Sequence, residues 1–313
     1  MITLRYHIVS ISAVFLALAV GIVLGSTALS RTLFGGLAAA KDDLGRQVTD
    51  LEAQRNGLAA RLTDADGFAT GIGPLAVAGQ LAQRTIVLIT TADADPVDRD
   101  AVKTLVTAAG ATVTGELQLT DGFADPRRAD ELKDIVTRLL PAGVQLPTVS
   151  DPGTLAGGLL GPVLLIRKAD NQRQASPAES AAALSGLAEG GFVRAAGEIR
   201  PAQLAIVLTG GAVSGADAGD RAATVARFAA QVDRSGAGAV LAGAAGSADG
   251  TGPIGLVRAD TAAAQVLSTV DNADTPAGRI VTLLALREQL DERSGGYGIA
   301  GNAEGPVPGS PTG

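Results

Sequence analysis

Asp93, Asp95, Asp98 and Asp100 crowd into one short stretch of the chain. An oxygen-rich loop of this kind suits a hard cation such as Mg²⁺ or Ca²⁺. The same residue types also serve a helix start. Asp95 before Pro96 reads as N-cap and first helical residue, and Asp98 and Asp100 favour the helix's positive end. Capping alone accounts for all of these types, so they are metal candidates and no more. A second cluster, Thr209-Gly210-Gly211 with Gly215 beyond it, lies between an expected strand and helix, where a phosphate could be cradled. It lacks the G-x-G-x-x-G spacing, and no lysine follows as in a P-loop. His7 is the one histidine and cysteine is absent, which excludes Ser–His and Cys–His nucleophile pairs, thiolate chemistry and zinc fingers. Two carboxylates would suffice for a glycosidase, but a chain without tryptophan has little to stack on sugars. The residues point away from an enzyme, and no cofactor is evident.

The formal charge of −7 argues against nucleic acid as a partner, since phosphates require clustered Lys and Arg. Aromatic residues make up 3%, too few for the girdles of a membrane β-barrel.

The elements that would position any site begin with a membrane helix. Between Arg5 and Arg31 there is no charged side chain. The apolar core from Ile8 to Leu24, with the small residues after it, is long enough to cross a bilayer, which takes about 20 residues. A cleaved signal peptide is the competing reading, with Ser26 and Ala28 or Ala17 and Ala19 as small-x-small sites. The length of the run and the single firm charge before it, Arg5, favour a retained anchor. Ala13, Ala17, Gly21 and Gly25 fall four apart, a spacing that lets two membrane helices approach closely. Flanking charge scarcely decides the orientation, because Arg5 precedes the span and Arg31 and Lys41 follow it.

Beyond the anchor, Leu37, Leu44, Leu51 and Leu58 recur every seventh residue. Lys41, Val48, Arg55 and Leu62 occupy the alternating position. This 4-3 spacing predicts a parallel coiled coil and hence a homodimer. Gly45 and Gly57 weaken it by roughly 1 kcal/mol each. Tethering both strands in one membrane raises their effective concentration and favours pairing. A lone amphipathic helix packed on its own domain is the alternative.

Gly67, Gly71, Gly73 and Pro74 predict a hinge. After it the order is strand and helix in alternation. Strands are expected at Thr85–Thr90, Val113–Leu119, Leu204–Thr209, Ala237–Ala242 and Gln265–Val270. Helices are expected at about Pro96–Ala109, Pro126–Leu140, Pro177–Ala188, Asp217–Arg234 and Thr275–Glu292. Leu155–Ile166 is apolar but broken by glycines and Pro162, so it reads as a buried helix or helix-strand piece rather than a second span. Alternation of this kind predicts a mostly parallel sheet in a Rossmann-like or flavodoxin-like α/β domain. The expected organisation is an anchor over 1–30, a coiled-coil stalk over 31–66, an α/β domain over 74–293 and a disordered tail over 294–313.

Two segments carry a family likeness. The opening, Met1-Ile-Thr-Leu-Arg-Tyr-His7 and then Ala13 through Gly25-Ser26, resembles that of the MctB/SteB family of actinobacterial envelope proteins. The close, Val270-Asp-Asn-Ala-Asp-Thr-Pro-Ala-Gly-Arg279 through Leu283–Leu286 to Gly295-Gly-Tyr-Gly298, resembles that family's last signature. The resemblance implies copper transport, in one member as an outer-membrane pore for efflux. For another member it implies a coiled-coil partner of a SteA-type protein in envelope and division control. Either role implies a cell-membrane protein whose C-terminal domain lies outside the cytoplasm. The residues offer copper little: no Cys, Met1 alone and His7 alone, where copper prefers thiolate, thioether and imidazole. Copper is therefore implied by the resemblance only, and the chain reads physically as a scaffold.

Overall fold

The structure, a computed structural model, describes residues 4–309. Its contacts divide the chain into two compact units, Met1–Ala65 and Asp66–Gly313. The first is helical throughout its described length. Helix α1 runs Leu4–Val77, and its last turns belong to the second unit.

The hinge expected at Gly67–Pro74 is absent, because α1 continues through it. Gly73 is buried, and a Cβ there would lie 3.3 Å from the Ile280 side chain. Val77 is fully buried one turn later. Tertiary burial of that face outweighs a glycine penalty of roughly 1 kcal/mol per residue. Pro74 removes a single N–H close to the helix end, where the loss is smallest.

The second unit runs β1 (Thr85–Thr90), α2 (Pro96–Ala108), β2 (Thr112–Leu119), α3 (Ala129–Arg138), α4 (Pro152–Leu164) and α5 (Pro177–Glu189). It continues with β3 (Val193–Ala195), β4 (Leu204–Thr209), α6 (Ala218–Asp233), β5 (Ala239–Gly243), α7 (Pro253–Ala259), α8 (Thr261–Ala264), β6 (Ser268–Val270), α9 (Pro276–Gln289) and β7 (Gly296–Tyr297). The sheet order is β3-β2-β1-β4-β5-β6-β7, and only β3 runs antiparallel to its neighbour. From β3 to β6 this is the Rossmann order rather than the flavodoxin one, with the direction of winding reversing between β1 and β4.

Strand side chains alternate between two cores, as a period of two requires. Val87, Ile89, Val207 and Leu241 face the layer that contains α4 and α6. Ile86, Leu88, Ile206 and Val240 face the other layer, which holds Val77 from the end of α1, Val102 and Val106 from α2, and Leu283 from α9. Both faces of the sheet are thus buried, which is why β1 and β4 read as unbroken apolar runs.

Helix α4 shows why an apolar, glycine-rich segment belongs in this interior. Gly153, Gly157 and Gly161 recur every four residues along it. Cβ atoms there would meet the Thr224 carbonyl oxygen at 2.2 Å, the Gln231 side chain at 2.7 Å and Ser235 Oγ at 2.1 Å. The stripe therefore admits the backbone of α6 at close range.

The tail expected to be disordered from Ser294 is ordered over the described residues. Its β7 pairs in parallel with β6, and Gly305 bridges to Tyr297 on the outer side. Tyr297 packs into the core, and the buried side chains of Arg258 and Asp271 hydrogen-bond the backbone on either side of Gly298.

Candidate functional site

The candidate membrane span and the leucines at heptad spacing lie on α1. A window of 20 residues, Tyr6–Gly25, has a mean hydropathy of 2.6 with none of it buried. Within it Ala17, Gly21 and Gly25 are exposed, and Cβ atoms at either glycine would meet nothing within 4 Å. Leu44, Val48, Leu51, Leu58 and Leu62 are all between 52 and 63% exposed. The side chain of Leu37 lies outside the described residues.

The second candidate lies at the carboxyl ends of β1 and β4, where a doubly wound sheet reverses direction and usually takes its ligand. Here the chain fills the position itself. Asp93 accepts a hydrogen bond from Thr91 Oγ1 and sits against Gly210, where a Cβ would come within 2.5 Å of Asp93 Oδ2. Gly211 is likewise closed off by the Ala245 carbonyl oxygen, 2.5 Å from where its Cβ would be. The cavity left between Thr91, Asp93, Thr209 and Arg221 is about 40 Å³. That admits a few waters, against the 300 Å³ or more typical of small-molecule sites. The glycines of Thr209-Gly210-Gly211 thus make room for the chain's own carboxylate and carbonyl groups.

The other three aspartates are drawn apart. Asp95 caps α2, accepting from Val97 N at 2.7 Å. Asp98 pairs with Arg279 at 2.7 Å in a mostly buried contact. Burial pushes the Asp98 carboxyl above its ordinary range, against the pull of Arg279. Asp100 pairs with Arg99 at the surface. Among the described residues no three His, Asp or Glu side chains gather as a metal cage.

The closing segment forms the most elaborate polar arrangement in the second unit. Asp271, at the end of β6, is buried and binds Arg258 Nη1 at 2.7 Å. It also accepts from Ile299 N at 2.8 Å and from Ala300 N at 3.3 Å. Arg258 donates in addition to Thr269 Oγ1, the Tyr297 carbonyl and Asn302 Oδ1. Tyr297 in turn donates its hydroxyl to Glu288. The glycines around this knot are fixed by it. Gly298 adopts φ +136°, and its Cβ would fall 2.2 Å from Asp271 Oδ1. At Gly278 a Cβ would fall 1.9 Å from the Asn272 carbonyl oxygen. Thr275 caps α9 through Gly278 N at 3.0 Å. The turn from Asp271 to Pro276 therefore holds the sheet's last two strands and the tail, which is a structural task. The sequence places Asp271 in the closing signature and offers Asp274 or Thr275 as the cap, of which Thr275 is used; Arg258 and Asn302 come from far along the chain with no local signal.

Comparison with known proteins gives concordant results. The family model described as "Copper transport outer membrane protein, MctB" matches residues 1–308. The "Copper transporter MctB" of Mycobacterium tuberculosis (strain ATCC 25618 / H37Rv) is 40% identical over 295 residues, covering 93% of this chain and 94% of its own. The protein of the same name from Mycobacterium leprae (strain TN) is 39% identical over 311 residues, covering 97% and 98%.

Proposed function

The chain belongs to the MctB copper transport family, and from that premise we propose that it serves copper homeostasis as a scaffold. In this reading it is a single-pass, dimeric membrane protein with its α/β domain outside the cytoplasm. What carries the reading is the layout of α1. An uncovered apolar span at Tyr6–Gly25 is followed on the same helix by uncovered leucines at heptad spacing. One segment is suited to lipid and the other to a second copy. Copper is then cargo handled by an assembly, since this chain supplies no cysteine and only one histidine and one methionine. The sheet supports the same view, being open-edged and covered by helices on both faces rather than closed as a pore wall.

The direct test deletes the gene and measures cellular copper at raised external copper. Unchanged copper content would remove the homeostasis role. That outcome would favour a second reading, supported by the same heptad face: a coiled-coil partner of a SteA-type protein in envelope and division control, with no copper handling. Leu51→Pro is expected to leave monomers on crosslinking, and a dimer that persists would exclude the heptad helix as its source. A reporter fused at Gly313 is expected to be active only outside the cytoplasm. Activity inside would reverse the orientation.

A further inference from the structure

We infer that two copies of the chain also meet at the foot of the second unit, where Phe68 of one enters an apolar groove beside Gly73 of the other. This rests on the parallel dimer proposed above and adds a contact to it. Phe68 and Leu75 are each 72% exposed on the last turns of α1, with Ile72 between them at 39%. These are large apolar side chains left in water outside the membrane span. The opposite side of these turns, through Gly73 and Val77, is buried against the domain.

The heptad count identifies what covers them. With Leu44, Leu51 and Leu58 at d and Val48 and Leu62 at a, the same count puts Ala65 and Ile72 at d and Ala69 and Ala76 at a. Phe68 and Leu75 then fall at g, and Asp66 and Gly73 at e. In a parallel pair the g residue of one helix faces the e residue five positions later on its partner. Arg61 at g then meets Asp66 of the second copy, a pairing of opposite charges. At the next turn Phe68 meets Gly73. Gly73 carries no side chain to project toward the partner, and Ile280 and Leu105 lie 3.3 and 3.4 Å from where its Cβ would be, so the ring enters the groove beside the glycine. The groove beside it holds about 230 Å³ and is lined by Ala69, Gly73, Pro74, Ala101, Leu105 and Ile280. It is apolar and large enough for a phenyl ring. Two-fold symmetry makes the contact twice, ring into groove from each side.

The absence of native cysteine makes the test clean. Two differently tagged full-length copies are expressed together in membranes, one carrying Phe68→Cys and the other Gly73→Cys, and are mildly oxidised. On one helix these positions lie about 8.5 Å apart, too far for a disulfide within a chain. The expected result is a disulfide joining the two tags. None is expected when Gly71→Cys, at an outward c position with open space around it, replaces Gly73→Cys. Because Gly73→Cys crowds Ile280, Phe68→Cys is also paired with Thr104→Cys on the exposed rim of the groove. Leu51→Cys alone reports the coiled coil. If it crosslinks while neither groove pair does, the groove contact is wrong and the coiled coil stands. If Leu51→Cys also fails to crosslink, both fall. Phe68→Ala is expected to weaken dimerisation by roughly 10- to 100-fold, the range of an aromatic anchor, and an unchanged dimer would equally overturn the contact.

Discussion

Asp271→Ala tests the polar knot at the end of the sheet. The substitution removes the anion from an ion pair whose side chains are 1% exposed on Asp271 and 7% exposed on Arg258. Arg258 would keep its bonds to Thr269, Tyr297 and Asn302 but would remain buried with no counter-charge. Breaking a buried pair by removing one partner costs about 3–5 kcal/mol. The backbone N–H groups of Ile299 and Ala300 lose their acceptor at the same time. For a domain of this size the loss lowers the melting temperature by roughly 6–20 °C. Tyr297 is a natural probe, since the chain has no tryptophan and only one other tyrosine, Tyr6. Its near-ultraviolet signal during urea unfolding of the full chain in detergent reports the knot directly. Adding Arg258→Met to the variant should recover part of the loss, because the stranded charge is then gone. Hydrogen exchange should show Ile299 and Ala300 losing protection in the single variant. A loss below about 1 kcal/mol, with both amides still protected, would refute the assignment of the tail's order to this pair.

Other outcomes follow from features described above and from one further buried carboxyl. Burial pushes Asp233 up to about 7, opposed by the bond from Ala239 N and by the charges of Arg234 and Lys168. Between its unfolded value near 4 and about pH 7 the unfolded chain has lost this proton while the folded chain keeps it. Stability therefore falls as pH rises across that window, by at most about 1.4 kcal/mol per pH unit. Asp233→Asn retains an acceptor for Ala239 N, so its melting temperature should match the parent near pH 4 and exceed it above pH 7; equal profiles would contradict the burial argument. Gly153→Ala puts a methyl 2.2 Å from the Thr224 carbonyl oxygen and should cost about 2–4 kcal/mol in urea unfolding, whereas Gly250→Ala, with nothing within 4 Å, should cost almost nothing. Asp95→Ala removes only a cap and should cost about 1 kcal/mol, and a much larger loss would mean that the carboxylate has another task.

Elements that announce themselves locally were legible in the sequence. Strands Thr85–Thr90 and Leu204–Thr209 match residue for residue, because their apolar runs are bounded by residues that break them. Helices opened by Asp95-Pro96, Ser176-Pro177 and Thr275-Pro276 begin where a side-chain cap and a fixed φ put them. The expected strand from Gln265 shortens to Ser268–Val270, since Thr261–Ala264 coils under the Asp260 cap. Strands β3 and β7, three and two residues long, escaped notice because partners far along the chain define them. The same holds for α7, which opens at Gly252 with no side-chain cap. At the carboxyl edge the sequence showed glycines and carboxylates near one another. Whether the carboxylate or a ligand occupies the glycine's space is a matter of distances that spacing does not encode.

The return of the tail over β7 also bears on biogenesis. Synthesis delivers residues 296–305 only after β6, so β6 stays an open edge until they have emerged. An unpaired edge invites pairing with other chains. A message or protease that ended the polypeptide just before Gly296 would leave most of the sheet intact yet adhesive.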